Sequence, residues 1–169
     1  MSIAETLLPE FDHEMATTRK CLERMPEDKA EWKPHAKSFT LGRLCLHLAE
    51  MPGWGTMAMT TTELDMNPPD GKKYEPTVFE SKAHVLAMFD ETVAAARAAL
   101  ATASDADFMV NWTLRNGGQV IFTLPRLGVV RTWVLNHVIH HRGQLSVYLR
   151  QLDVPVPAIY GPSADEQGM

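Results

Sequence analysis

A chain of 169 residues, of which 45% are hydrophobic and 22% charged, has the size of one globular domain and is too apolar to be disordered. Its formal net charge of -5 argues against a broad nucleic-acid-binding surface, because phosphate binding needs clustered positive charge. Two cysteines exclude a disulfide scaffold and a four-thiolate zinc site, whereas seven histidines leave a histidine-based site open.

The chain shows no pattern that indicates secretion or a membrane. Its first residues lack the basic stretch and apolar core of a secretory signal. No run approaches the ~18 consecutive apolar residues that a membrane-spanning helix needs. We therefore expect a soluble cytoplasmic protein whose partners include neither nucleic acid nor a membrane.

The first predicted helix covers 3–25, where apolar residues recur every three or four positions. Ser2, followed three residues later by Glu5, has the pattern of a capping box. Pro9 lacks a backbone N–H, so the helix either kinks at this residue or begins there. Pro26 ends the helix.

A second helix is predicted over 39–60, with Ser38 or Thr40 as the N-cap. Pro52 and Gly53 lie inside this segment and predict a kink just past its middle. Residues 61–77 are predicted to form a connection, since positions 67–71 carry a strong turn signal, Asn-Pro-Pro-Asp-Gly.

A third helix is predicted over 78–102, where apolar positions alternate in steps of three and four. The predicted seam consists of Phe79, Lys82, Leu86, Phe89, Val93, Ala96 and Leu100. Residues 111–123 change to strand chemistry, and the sequence Asn116-Gly117-Gly118 indicates a small hairpin. The last helix is predicted over 125–152, with Pro125 near its first turn.

Four long amphipathic helices without an internal repeat predict an all-α fold, a four-helix bundle with a small β-hairpin before the last helix. We expect a single domain over 1–169. Its C-terminal part, from about 153 to 169, is predicted to be an extended tail because it carries three prolines.

The last predicted helix contains His137, His140 and His141. Residues four apart share a helix face, so His137 and His141 can bind one metal ion. At about 100° per residue, these two lie within roughly 60° of the centre of the apolar stripe, whereas His140 lies about 120° away. His47, on the apolar side of the second helix, is the best candidate for a third ligand.

Three neutral imidazoles from two helices, with a coordination position left open, are typical of a catalytic metal site. Zn²⁺ and Ni²⁺ suit imidazole best, and Fe²⁺, Mn²⁺ or Co²⁺ are also compatible. The alternative is that these histidines are hydrogen-bonded core residues. A zinc-protease motif is excluded because Val138 follows His137, where that chemistry needs Glu.

Several other polar side chains each allow two interpretations. Glu14 could reach the metal as a base or fourth ligand, although a solvated helix surface is the simpler expectation. Glu50 could support His47 but is expected at the surface. Asn136 and Gln144 could orient metal ligands or substrate. Arg142 could attract an anionic substrate or form a salt bridge at the rim.

The remaining candidates are expected to be structural. Cys45 lies about 200° around its helix from His47 and is therefore not a ligand. Cys21 is expected to be a small buried residue. The tryptophans Trp54, Trp112 and Trp133 are expected to belong to the core.

The chain resembles the DinB (DinB/YfiT-like) superfamily over nearly its whole length. The similarity is carried by two signature segments, 44–50 (LCLHLAE) and 136–145 (NHVIHHRGQL). Three shorter segments support it, 32–35 (WKPH), 154–157 (VPVP) and 160–163 (YGPS). The segment in the last helix is the most specific of these.

This resemblance implies a four-helix bundle that holds a divalent metal ion through His47, His137 and His141, often in a homodimer. It further implies a metal-dependent enzyme, such as an S-transferase for low-molecular-weight thiols like bacillithiol or mycothiol. Two alternatives stay open: a metal-binding stress or accessory protein without catalysis, and a metal-dependent hydrolase. The sequence assigns no catalytic residue beyond the metal ligands.

Overall fold

Helices make up most of the computed structural model, which describes residues 1–69, 71 and 77–167. The first helix, α1, covers Ile3–Glu23. Its predicted capping box is present, because Ser2 Oγ accepts from Glu5 N at 3.2 Å and Glu5 Oε2 accepts from Ser2 N at 2.7 Å. The helix therefore starts at Ile3, and Pro9 lies inside it.

A 3₁₀ turn, Glu27–Lys29, leads toward helix α2, Leu41–Thr60. Of the two predicted caps, Thr40 is the one used, since its hydroxyl accepts from Arg43 N at 3.2 Å. Helix α3, Lys82–Thr102, begins four residues later than predicted, because Ser81 caps it through His84 N at 3.0 Å. A short helix that was not predicted, α4, covers Asp105–Phe108.

The long helices bury a common core. Helix α2 packs against α3, and α1 also packs against α3. On the α2–α3 contact, Thr92 Oγ1 donates to the carbonyl of Ala49 at 2.7 Å. Within the predicted seam of α3, Phe89, Ala96 and Leu100 are buried, whereas Lys82, Leu86 and Val93 are only partly so.

The strand region is a three-stranded sheet and not an isolated hairpin. The predicted hairpin consists of β2, Asn111–Asn116, and β3, Gln119–Pro125, which pair antiparallel. The prediction of 61–77 as a plain connection was wrong, because β1, Glu63–Asp65, pairs parallel to β2. Asp70, from the predicted turn at 67–71, lies outside the described residues.

The last helical segment is not one uniform α-helix. It consists of α5, Arg126–Val129, a π-helical turn, Val130–Leu135, and α6, Asn136–Gln151. Helix α6 packs against α1 and α2. From Asp153 to residue 167 the chain has no helix or strand, and Tyr160 in this tail returns to α1 by bonding to Glu14.

The observed architecture is thus mostly helical with a small sheet. Among the described residues, none of the helices has the length and apolar character needed to cross a bilayer.

Candidate metal centre

The three histidines selected from the sequence converge between α2 and α6. One ring nitrogen from each of His47, His137 and His141 lies within 4.8 Å of the other two. Nε2 of His137 and Nε2 of His141 are 2.9 Å apart. The ring of His47 lies 5.3 Å from that of His137 and 4.6 Å from that of His141, measured between centroids.

This spacing fits a divalent ion. Zinc–imidazole bonds of about 2.0–2.1 Å in tetrahedral geometry put ligand nitrogens roughly 3.4 Å apart. The separation of 2.9 Å between His137 Nε2 and His141 Nε2 is close to that value, and the distances from both to a ring nitrogen of His47 do not exceed 4.8 Å. Among the described residues, the potential metal-binding group contains imidazoles and no carboxylate. The three rings could therefore hold a metal and leave positions for an external ligand.

Burial keeps two of the imidazoles neutral at pH 7. It lowers the pKa of His141 to about 4, although the hydrogen bond with Gln144 opposes this shift. Burial also lowers the pKa of His137, helped by the nearby His47. Neutral imidazole carries the lone pair that a metal needs, so these rings have no proton to lose before binding.

Hydrogen bonds at the opposite ring nitrogens set the direction of the Nε2 atoms. His141 Nδ1 lies 2.7 Å from Gln144 Oε1, and donation to that oxygen leaves Nε2 unprotonated. The ring of His137 bonds the backbone of Trp133, in the π-helical turn. Gln144 therefore orients the imidazole ring of His141. His140 and Asn136 are exposed, the orientation predicted for His140.

The predicted surface position of Glu50 was wrong. Its side chain is only 11% exposed and lies between two basic groups. Oε2 of Glu50 is 3.8 Å from His47 Nδ1 and 3.0 Å from Arg43 Nη2. Burial alone would raise the pKa of Glu50, but the neighbouring side chains of His47, Arg43 and Thr77 lower it to about 2. A carboxylate thus lies beside one of the three imidazoles.

Aromatic side chains enclose the histidines. Phe39 and Trp54 meet the His47 ring edge-on, at centroid distances of 5.7 and 5.4 Å. Trp54 also stacks on Trp133 at 4.7 Å, with 21° between the ring planes. Phe39 lies in the loop before α2, where sequence spacing offers no signal for its contact with His47.

A cavity of about 600 Å³ opens beside His47. Its lining consists of Arg43, His47, Trp54, Trp133 and residues 64–67. Trp112 is fully buried, as predicted, but Trp54 and Trp133 are half-buried and face this cavity. Trp54 and Trp133 thus pack against the core with one part of the side chain and line the cavity with another.

Glu14 and Arg142 belong to a different cluster. They form a buried ion pair at 2.7 Å, with side chains 7% and 1% exposed. The hydroxyl of Tyr160 lies 2.9 Å from both Glu14 carboxylate oxygens and 2.6 Å from Arg142 Nη2. Glu14 is therefore neither solvated nor next to the histidines, and Arg142 is not at a rim.

Both cysteines are free and buried. Burial raises the pKa of Cys21 to about 11, and it raises the pKa of Cys45 still further. Both thiols therefore stay protonated at neutral pH, which suits neither a metal ligand nor a nucleophile.

Fold and site together define a class: a mostly helical protein in which two helices bring three imidazoles together beside an open cavity. A model of the DinB family matches residues 1–168. The chain belongs to the DinB family.

Individual relatives agree with this family. The uncharacterized protein YrdA of Bacillus subtilis (strain 168) is 26% identical over 159 residues, covering 94% of this chain and 89% of YrdA. A DinB-like protein from Bacillus cereus has the same fold, with a TM-score of 0.68, 23% identity and coverage of 94% and 98% of the two chains. The DinB-like YjoA of Bacillus subtilis gives a TM-score of 0.67 at 15% identity, covering 96% and 99%.

Proposed function

We propose that this protein binds one divalent metal ion through His47, His137 and His141, and that it is a metal-dependent S-transferase for low-molecular-weight thiols. The observation that carries the proposal is the convergence of three ring nitrogens within 4.8 Å of one another, with His47 on the wall of an open cavity. Imidazole donors favour Zn²⁺ or Ni²⁺, with Fe²⁺, Mn²⁺ or Co²⁺ as alternatives.

A divalent ion held there supplies Lewis acidity, which lowers the pKa of a bound thiol or water and makes it nucleophilic at neutral pH. The protein's own part is to hold its donors ready. Gln144 and the backbone of Trp133 fix two rings, and Glu50 lies beside the third. The cavity next to His47 has room for a small-molecule substrate.

Membership of the DinB family suggests a four-helix bundle as the fold around this site and a homodimer as the oligomeric state. We place the four long helical segments, namely α1, α2, α3 and the segment from α5 to α6, in a four-helix bundle within one cytoplasmic domain. We also propose a homodimer. Sedimentation equilibrium at micromolar concentration measures the assembly directly: we expect twice the chain mass of 18.9 kDa, and a single-chain mass would contradict the dimer.

Elemental analysis tests the metal site. We expect about one equivalent of a divalent metal in the purified protein, and a large loss in each of His47→Ala, His137→Ala and His141→Ala. His140→Ala is the matched control, because its imidazole is exposed on the same helix. Full metal content in all three site variants would refute the assignment.

A conjugation assay tests the activity. The metal-loaded protein is mixed with bacillithiol, mycothiol or glutathione and the electrophile monochlorobimane, and we expect conjugation above that of His141→Ala with at least one thiol. A metal-loaded protein that conjugates no thiol would instead be a non-catalytic metal-binding protein. Hydrolysis of an activated ester without thiol conjugation would make it a metal-dependent hydrolase.

A further inference from the structure

One nitrogen of the three-histidine group has no hydrogen bond. Nδ1 of His47 is buried and has no hydrogen-bond partner among the described residues. The other two rings differ in this respect, because Gln144 bonds His141 and the backbone of Trp133 bonds His137. A buried N–H without an acceptor is unfavourable. His47 is thus the imidazole of the group whose orientation still needs a partner.

A carboxylate faces this nitrogen. Glu50 lies three residues after His47, on the same face of α2. Its Oε2 is 3.8 Å from His47 Nδ1, and the two side chains are only 11% and 13% exposed. This distance exceeds the about 2.7–2.9 Å of a charge-assisted hydrogen bond. Because both side chains are mostly buried, solvent screens their attraction only weakly.

The carboxylate of Glu50 is itself held in place. Arg43, one turn before His47 on α2, donates from Nη2 to the same Oε2 at 3.0 Å. The side chain of Thr77 is a further neighbour of this carboxylate. A carboxylate has about four lone-pair sites on its two oxygens, so it can accept from Arg43 and from a second donor. Glu50 is therefore a fixed acceptor next to His47.

The direction of Nδ1 decides which nitrogen of His47 is left for a metal ion. Phe39 and Trp54 meet the ring edge-on, with 72° and 67° between the ring planes, and so restrict its rotation. With Nδ1 toward Glu50, Nε2 is the other nitrogen of the ring. An imidazole that binds a metal through Nε2 carries its proton on Nδ1, and an acceptor for that proton fixes the tautomer.

We propose that Glu50 is a positioning residue of the metal centre: its carboxylate accepts a hydrogen bond from Nδ1–H of His47 and keeps Nε2 unprotonated and directed at the ion. This inference rests on the proposed function and deepens it. Glu50 acts through His47 and is not a ligand, since the potential metal-binding group consists of the three imidazoles.

Metal affinity gives the first test. Competition with a chelator measures the Kd for Zn²⁺, and we expect Glu50→Ala to weaken binding about 10–100-fold. Glu50→Gln should recover part of this loss, because its amide oxygen can accept the same hydrogen bond. Arg43→Gln should lose less than Glu50→Ala, since the carboxylate stays beside His47. Glu91→Ala, which removes an exposed negative charge on α3, is the matched control and should bind as wild type does.

Two results of this titration would overturn the proposal. Wild-type affinity in Glu50→Ala would show that the carboxylate does not support the site. Equal losses in Glu50→Gln and Glu50→Ala would show that only the negative charge matters and not the hydrogen bond.

The tautomer of His47 gives a second test that needs no altered carboxylate. Two-bond ¹H–¹⁵N spectra of the full chain show which ring nitrogen carries the proton, and the signals of His47 are those missing in His47→Gln. We expect the proton on Nδ1 in the metal-free and the Zn²⁺-loaded protein, and a shift toward Nε2–H in metal-free Glu50→Ala. An Nε2–H tautomer in the metal-free wild type, or Zn²⁺ on Nδ1, would overturn the proposal.

These readouts separate the role of Glu50 from the proposed function. A protein that binds Zn²⁺ through Glu50-supported His47 but conjugates no thiol would contradict only the S-transferase activity. Thiol conjugation with unchanged Zn²⁺ affinity in Glu50→Ala would contradict only the role of Glu50. A wild type that binds no metal would contradict the proposed function, and the tautomer of its His47 would still test the contact with Glu50.

Discussion

At the scale of single residues, His141 combines burial with a hydrogen bond that selects its tautomer. Its pKa of about 4 lies below the ordinary 6.5, so the unfolded chain takes up a proton first as the pH falls. The stability that neutral His141 contributes is therefore fully present above pH 6.5 and is lost progressively toward pH 4.

We expect the free energy of unfolding of the metal-free protein to fall more steeply between pH 6.5 and 4 than that of His141→Gln. Urea denaturation at several pH values measures this slope. His140→Gln, which changes the exposed neighbouring ring, is the control and should keep the steeper slope. Parallel curves for wild type and His141→Gln would show that burial does not hold this imidazole neutral.

The buried pair of Glu14 and Arg142 gives a second prediction. Glu14→Gln leaves the Arg142 charge buried without its counter-ion, and we expect a loss of about 3–5 kcal/mol in the free energy of unfolding. Tyr160→Phe removes hydrogen bonds but no charge, and should cost about 1 kcal/mol.

The control for this pair is Asp12→Asn, which breaks the exposed ion pair with Arg97. Exposed pairs contribute at most about 1 kcal/mol, so this variant should stay close to wild type. Equal losses from Glu14→Gln and Asp12→Asn in urea denaturation would contradict a special role for the buried pair.

At the scale of elements, the hairpin between β2 and β3 depends on two glycines. Gly117 and Gly118 have φ values of 60° and 79°, as the type I′ turn requires. A side chain at Gly118 would meet no heavy atom within 4 Å, so the cost of a substitution there is conformational. We expect Gly118→Ala to lower the free energy of unfolding by about 1–2 kcal/mol.

Two further variants make this prediction specific. Gly118→Asn should recover much of the loss, because Asn tolerates the left-handed region. Gly143→Ala, in the exposed interior of α6, should stabilise the protein by roughly 0.5–1 kcal/mol, because nothing lies within 4 Å of the added methyl group. A higher melting temperature for Gly118→Ala than for Gly118→Asn in thermal denaturation would contradict the turn assignment.

The π-helical turn, Val130–Leu135, contributes both a backbone group and a side chain to the candidate metal centre. The backbone of Trp133 bonds the His137 ring, while its indole stacks on Trp54 at the cavity. The wider winding of a π-turn changes which faces the residues on either side present, and such turns often occur at functional sites. His137 and His141 both follow the turn, so their spacing of four within α6 is unaffected.

At the scale of the whole molecule, the three histidines connect α2 to α6. A metal ion that binds only the folded chain should therefore raise global stability, by about 4 kcal/mol when free metal exceeds its Kd a thousandfold. Thermal melts with and without added Zn²⁺ or Ni²⁺ test this. His47→Ala should melt at the same temperature under both conditions, and a metal-induced shift in this variant would place the ion elsewhere.

The sequence by itself determined the features that depend on neighbours within about four residues. Helical periodicity, the Ser2 capping box and the Gly117-Gly118 turn follow from local backbone geometry. The spacing of His137 and His141 does too, because residues four apart on a helix face the same way.

Only the tertiary structure determined which residues, far apart in the chain, contact one another. It brought Glu14 to Arg142 and Tyr160, and it turned Trp54 and Trp133 toward a cavity. The three-residue strand β1 exists because β2 is available to pair with it. These contacts join residues far apart in the chain, so they depend on how whole elements pack, which no local pattern records.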